Sequence, residues 1–261
     1  RGRLLYKLAE KIRENLNDLA MTDTLNVGKP IRDTLGFDVP CAADLFESYA
    51  GLPDKIAGKC YGTLPDNVTM QFREPMGVIA AIVPWNFPIL LAIWKIAPAL
   101  MAGCTMILKP SPYTPLCDLK LVELAQEAFP PGVINAVSGG DDLGIWMTTH
   151  PDINKIAFTG STETGRHVMK SASETIKRVT LELGGNDPAI VLPDVDAKTL
   201  APQLFWAAFQ NNAQFCNSTK RLYIHEDVYD DVKEALVDFI TQQIKVGDGA
   251  EADTDLGPIQ N

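Results

Sequence analysis

Leu4, Leu5, Leu8, Ile12, Leu16 and Leu19 recur three or four positions apart in RGRLLYKLAEKIRENLNDLA, a spacing that predicts one amphipathic helix with a single buried stripe. It starts without a capping residue. A second helical stretch covers residues 31–48. Residues 55–72, with Gly58, Gly62 and Pro65 between short alternating runs, predict an extended hairpin-like excursion. From Val78 the pattern changes to short continuous apolar runs separated by helical spacing. GVIAAIV ends at Pro84, a helix pattern runs to Leu100, and TMILK stops at Pro110. The unit repeats, with helix 116–129, strand VINAV, short helix 142–149, strand KIAF and helix 164–173. Such alternation with short connections predicts an α/β fold whose parallel sheet carries helices on both faces.

RVTLEL and AIVL then flank GGNDP, whose glycines and proline mark a sharp connection where the sheet is expected to change domain. A helix at 198–210 and a strand at RLYI follow. Val232, Leu236, Phe239, Ile240 and Ile244 trace a long amphipathic helix before the polar close VGDGAEADTDLGPIQN.

Composition narrows the function classes. The chain has 261 residues, 46% of them hydrophobic and 21% charged, an ordinary globular balance. A formal charge of −10 gives no general attraction to phosphate backbones or anionic lipids, so neither nucleic acid nor a membrane surface is the expected partner. The most apolar stretch, 78–108, is interrupted by Pro84, Asn86, Pro88, Lys95 and Pro98 and falls short of the roughly 20 apolar residues of a membrane span. The N-terminal helix contains acidic residues, unlike an export signal. Five cysteines (41, 60, 104, 117 and 216) are an odd number without CxxC or metal-ligand spacing. A reducing, cytoplasmic setting and no metal site are therefore expected, and His150, His167 and His225 lie too far apart in sequence to suggest one.

Several positions carry candidate chemistry, each with an ordinary alternative. In AFTGSTETG, Gly160 and Gly165 sit beyond a strand and at the start of a helix, where backbone amides can hold a pyrophosphate or simply form a tight turn. Lys109 closes a strand in ILKPSPYTP, at the sheet edge where open α/β folds bind ligands, or is merely solvated. Asn86, in PWNFP, either shapes a turn or aims its amide at a developing oxyanion. Glu182 interrupts an apolar strand, which requires it to be paired, neutralised or exposed. Cys216, in the polar run NAQFCNSTKR, is an inert thiol or a nucleophile. A thiolate that adds to a carbonyl carbon, with a carboxylate to activate the water that later releases the acyl group, would use both of the last two.

In chain order, VPWNFP, LKPSPYTP, FTGSTETG, LELGGNDP, NAQFCNSTKR and LGPIQN resemble the signatures of the NAD(P)-dependent aldehyde dehydrogenase superfamily over essentially the whole chain. The resemblance implies a Rossmann-like NAD(P)-binding domain at 1–184, including an oligomerisation hairpin at 55–72. The first part of an α/β catalytic domain would follow at 185–261. It also implies that Cys216 is the nucleophile, Glu182 the general base, and Asn86 with the Cys216 amide the oxyanion hole. NAD or NADP would be held by Lys109 at the adenosine ribose and by Gly160 and Ser161 at the pyrophosphate, with Ser111 and Gly165 as further cofactor-binding candidates. Trp85 and Gly184 would line the channel near the nicotinamide, and Val83, Pro84 and Leu183 are further cofactor-binding candidates. The implied substrate is a small aldehyde, and the implied assembly of the full-length protein a homodimer or homotetramer.

Three positions depart from the commonest family pattern. Ala213 stands where Gly is usual, Asn186 where Lys follows LELGG, and Pro112 where many NAD-preferring members have Glu. Family members also continue into an EIFGP-like segment and further strands. The chain is therefore expected to be a piece of a longer protein, with apolar edges left open and with a non-catalytic nucleotide-binding or interaction role as the alternative to turnover.

Overall fold

The computed structural model describes the backbone of residues 1–261 and the side chains of all but positions 63 and 64. Helices α1 (Gly2–Glu14) and α2 (Leu16–Val27) replace the single helix expected from the leucine spacing. The break falls at Asn15, whose Nδ2 donates to Lys11 O at 2.8 Å and competes for a carbonyl the helix would use itself. A short α3 (Ile31–Asp33), a π-helical turn (Thr34–Asp38) and α4 (Val39–Ala50) follow. Strands β1 (Lys59–Leu64) and β2 (Asn67–Gln71) form an antiparallel hairpin.

The central sheet is built from β3 (Val78–Ile82), β4 (Thr105–Lys109), β5 (Ile134–Ala136), β6 (Lys155–Thr159) and β7 (Arg178–Glu182). All its pairs are parallel, in the order β5-β4-β3-β6-β7. The connecting helices are α5 (Pro88–Ala102), α6 (Leu116–Ala128), α7 (Asp141–Thr149) and α8 (Thr162–Ser173). This is a Rossmann-like arrangement. The chain runs outward from β3 in one direction, then returns to place β6 on its other side, which puts a topological switch point at the carboxyl ends of β3 and β6.

Side-chain alternation divides the core between the two faces. Ile79, Ala81, Met106 and Leu108 pack under α1, α2, α4, α5 and α6, while Ala80, Ile82, Ile156 and Phe158 pack under α7 and α8. Both faces of β3 are buried, so it reads as an unbroken apolar run. At the edge, Val179 and Leu181 of β7 pack inward, while Arg178, Thr180 and Glu182 face solvent.

Beyond β7 lie β8 (Asp187–Val191), α9 (Ala197–Phe209), a 3-10 turn (Gln210–Ala213), β9 (Thr219–Ile224), another 3-10 turn (Glu226–Val228) and α10 (Tyr229–Gln243). β8 and β9 make a separate two-stranded parallel sheet. Phe205 of α9 stacks on Phe209 and meets Phe239 of α10 edge-on. Ile190, Leu192, Tyr223 and Val237 remain exposed. Among the described residues no helix is long and apolar enough to cross a membrane.

Candidate active site

The carboxyl ends of the central strands bring most of the candidate residues to one edge. Register sets Ile82 beside both Lys109 and Phe158, and Thr159 beside Glu182. The loop after β3 is anchored at its base by Val83 N donating to Lys109 O at 3.1 Å and further on by Thr114 Oγ1 donating to Trp85 O at 3.0 Å. Val83 is buried, and Pro84, Trp85 and Asn86 are half-buried.

Lys109 is not the solvated strand end that its charge suggests. It is buried, and burial pulls its ammonium below the usual lysine range, against the opposing charge of Asp141. Its Nζ reaches Pro110 O at 3.5 Å. Ser111 beside it is also buried and accepts from Tyr113 N at 3.3 Å.

At the start of α8, Ser161 Oγ caps the Thr164 amide at 3.1 Å. Thr162 and Glu163 open the first turn, whose N–H groups have no partner within a helix, as an anion-binding helix end requires. Backbone at Gly160 passes so close to Phe158 that a Cβ would lie 2.5 Å from the ring, so the turn closes only around glycine. Leu183 fits against Gly165, and Gly184 is exposed. These features fit a pyrophosphate: bare amides at a helix terminus, with a buried lysine one strand beyond the switch point.

Cys216 arrives from the other part of the molecule, exposed, on the loop before β9. That loop is joined to the strand edge at three points. Asn86 Nδ2 donates to Gln214 O at 2.7 Å, and Asn211 Nδ2 donates to Asn86 O at 3.0 Å. The rings of Phe87 and Phe215 meet edge-on at 5.8 Å. Gly185, three residues beyond Glu182, lies against the same loop, where a Cβ would come 2.7 Å from Cys216 O. The C-terminal segment adds Asn212 Nδ2 to Gly257 O at 2.8 Å and Gln260 N to Gln214 Oε1 at 2.9 Å. The approach to Cys216 runs through Asn211, Asn212 and Ala213, all with positive φ. At φ +61° Ala213 sits in the left-handed region, which accounts physically for the glycine usual there.

Glu182 is exposed at the end of β7, and its backbone O accepts from Gly160 N at 3.0 Å. An electrostatic partner of its carboxylate is a residue the sequence did not single out as a site residue. Lys95, buried on α5, donates to Thr159 Oγ1 at 2.6 Å. Burial pulls its ammonium down to about 8, and the Glu182 charge acts in the opposite sense. A lone lysine within the apolar helix ILLAIWKIAPALMA was the available signal, because lysine is almost never buried without a partner. Asn211 and Gln214 were also missed.

Beneath the β3 loop lies a buried ionic cluster. Lys29 pairs with Asp38, stands 4.0 Å from Asp23 Oδ2, and places its ammonium 3.7 Å from the centroid of the Phe87 ring. Asp23 is fully buried, with the Lys29 charge and the Cys117 thiol acting on its carboxyl. Burial pushes its carboxyl up to about 7, only partly offset by Lys29.

The aldehyde dehydrogenase family model matches residues 1–261. Retinaldehyde dehydrogenase 3 of Homo sapiens is 42% identical across 99% of this chain, which spans 51% of that protein. Among solved structures, PnpE from Pseudomonas sp. WBC-3 superposes with a TM-score of 0.94 at 41% identity, covering 100% of this chain and 54% of that one. An aldehyde dehydrogenase from Bacillus cereus, solved as an NAD+ complex, gives a TM-score of 0.96 at 40% identity, covering 100% of this chain and 53% of its own. The chain thus spans about half the length of the relatives it matches. On this match over residues 1–261, the chain belongs to the aldehyde dehydrogenase family.

Proposed function

We propose that this chain carries the nucleotide-holding sheet edge and the nucleophile of an NAD(P)-dependent aldehyde dehydrogenase. By itself it binds the dinucleotide; oxidation of an aldehyde to a carboxylate belongs to a longer protein of its relatives' length. The observation that carries this reading is the 2.7 Å hydrogen bond from Asn86 to Gln214 O, which ties the Cys216 loop to the carboxyl edge of the sheet. The exposure of both Cys216 and Glu182 favours binding without turnover for the chain alone, since catalysis of this kind works in a water-excluded site.

In the longer protein the Cys216 thiolate adds to the aldehyde carbon, and the carbonyl oxygen becomes an oxyanion. The second Nδ2 proton of Asn86 and the backbone amide of Cys216 stabilise it. When bound, the nicotinamide cofactor supplies the hydride acceptor that takes this carbon to the thioester level. Glu182 then draws a proton from the water that attacks the thioester, releasing the carboxylate and the Cys216 thiol. Lys95 supplies positive charge near the Glu182 carboxylate. Lys109 and Ser111 would hold the adenosine ribose, and Gly160, Ser161 and Gly165 the pyrophosphate. Val83, Pro84, Trp85, Leu183 and Gly184 would line the way to the nicotinamide.

A division into a nucleotide part at 1–184 and a nucleophile part at 185–261 belongs to the same proposal. So does a homodimer or homotetramer of the longer protein, supported by exposed Tyr61, Val68, Met70 and Phe72 on the hairpin. The test has two arms: calorimetric titration of this chain with NAD+ and NADP+, and absorbance of the reduced cofactor on adding aliphatic and aromatic aldehydes. Binding without turnover here, together with Cys216-dependent turnover in the longer protein, is expected. An aldehyde-oxidising longer protein indifferent to Cys216→Ser would overturn the assignment.

A further inference from the structure

The residue after the KPS run is Pro112, whose side chain offers neither charge nor a hydrogen-bond acceptor to a ribose. A carboxylate nevertheless stands at this end of the site. β5 lies parallel to β4, with Ala136 opposite Leu108, so the chain leaving β5 runs beside Lys109 at the carboxyl edge. It passes Gly139 and Gly140 and enters α7 at Asp141, which is exposed. The Lys109 side chain extends towards the first turn of this helix, its Cε 4.0 Å from where a Cβ on Gly144 would sit. The side chain is 5% exposed, and its ammonium has a single acceptor among the described residues, Pro110 O at 3.5 Å. Asp141 acts electrostatically on Lys109, opposing the effect of burial.

Two opposing effects decide how this corner treats a phosphate. The Lys109 ammonium and the N-terminus of α7 attract an anion. Asp141 offsets the first, and Asp141 with Asp142 offsets the second, because both carboxylates lie in the first turn. A ribose 2′-hydroxyl can donate to a carboxylate here, whereas a 2′-phosphate brings close to two negative charges against it.

We propose that Asp141 determines cofactor choice, selecting the dinucleotide with a free 2′-hydroxyl over its 2′-phosphorylated counterpart and filling the role that Pro112 cannot. The assignment rests on the cofactor reading given above. Calorimetry on this chain with NAD+, NADP+, AMP and 2′,5′-ADP tests it. The wild-type chain should bind NAD+ at least about tenfold more tightly than NADP+, a gap of roughly 1.4 kcal/mol, with AMP favoured over 2′,5′-ADP in the same sense. Asp141→Asn should remove most of that gap by strengthening NADP+ binding while retaining NAD+ binding, which also reports a folded site. Asp141→Glu should preserve the preference, and Asp142→Asn should narrow it by less than Asp141→Asn does. NAD+ binding with an unchanged ratio in Asp141→Asn, or a wild-type preference for NADP+, overturns the role of Asp141 alone. Failure of the wild-type chain to bind either dinucleotide overturns the cofactor reading and this assignment with it.

Discussion

The central sheet and the β8–β9 region use the same elements, parallel strands with amphipathic helices, yet they are stabilised very differently. In the sheet, β3 is buried on both faces and helices α5 and α6 lie over a continuous core. In the second region Ile190 is 72% exposed, Val237 is 57% exposed, and Val232 is the one buried residue of α10. The difference bears on function. The nucleotide edge rests on rigid strands, whereas Cys216 hangs on a loop held partly by Ser218 and Lys220 of its own region and partly by bonds across to Asn86 in the β3 loop.

The sharpest way to break this contrast is to truncate one apolar residue in each region. Leu108→Ala, in a fully buried strand position, should cost about 2–5 kcal/mol in urea unfolding. Ile190→Ala should change stability by no more than about 0.5 kcal/mol. Comparable losses would mean that both regions carry a core.

The next test addresses the bonds between regions. Asn86→Ala removes both the donor to Gln214 O and the proposed oxyanion donor. In the proposed longer enzyme kcat should fall about 10²–10³-fold, read by steady-state kinetics, with NAD+ affinity preserved. Loss of NAD+ affinity in parallel would place Asn86 in the cofactor site instead.

A pH effect belongs to the layer beneath the sheet. Folded Asp23 keeps its proton up to about 7, while the unfolded chain releases it near the ordinary carboxylate value of about 4. Between those values the native state binds more protons, so stability should fall as pH rises from about 4 towards 7. Asp23→Asn should flatten that slope in thermal melts across the same window.

The smallest effect is expected at Ala213. Replacement by Gly removes the left-handed strain at φ +61° but adds unfolded-state freedom, for a net gain of about 0.5–1 kcal/mol measured by urea unfolding. A loss would show that the methyl group packs usefully.

Legibility from the sequence followed the same divide. GVIAAIV and TMILK stand out because buried parallel strands are continuously apolar and each run is closed by proline. Asn15 could not be read as a helix break, since a side-chain bond to one carbonyl leaves no trace in hydrophobic spacing. The burial of Lys109 and Lys95 is not legible in the sequence because charge suggests exposure, and only packing reveals that α5, α7 and the strand ends enclose them. The left-handed run from Asn211 to Ala213 depends on tertiary bonds to the β3 loop, beyond the reach of local propensity. In the second region, the amphipathic pattern identified the apolar face of α10 but could not say how much of it would be covered.

The central claim, that a dinucleotide lies across the carboxyl edge of β3 and β6, is tested most directly by hydrogen–deuterium exchange of this chain with and without NAD+. Protection should appear at residues 83–86 and 160–164 and be absent from β9 and α10. Protection confined to the β8–β9 region, or none at saturating NAD+, would contradict it.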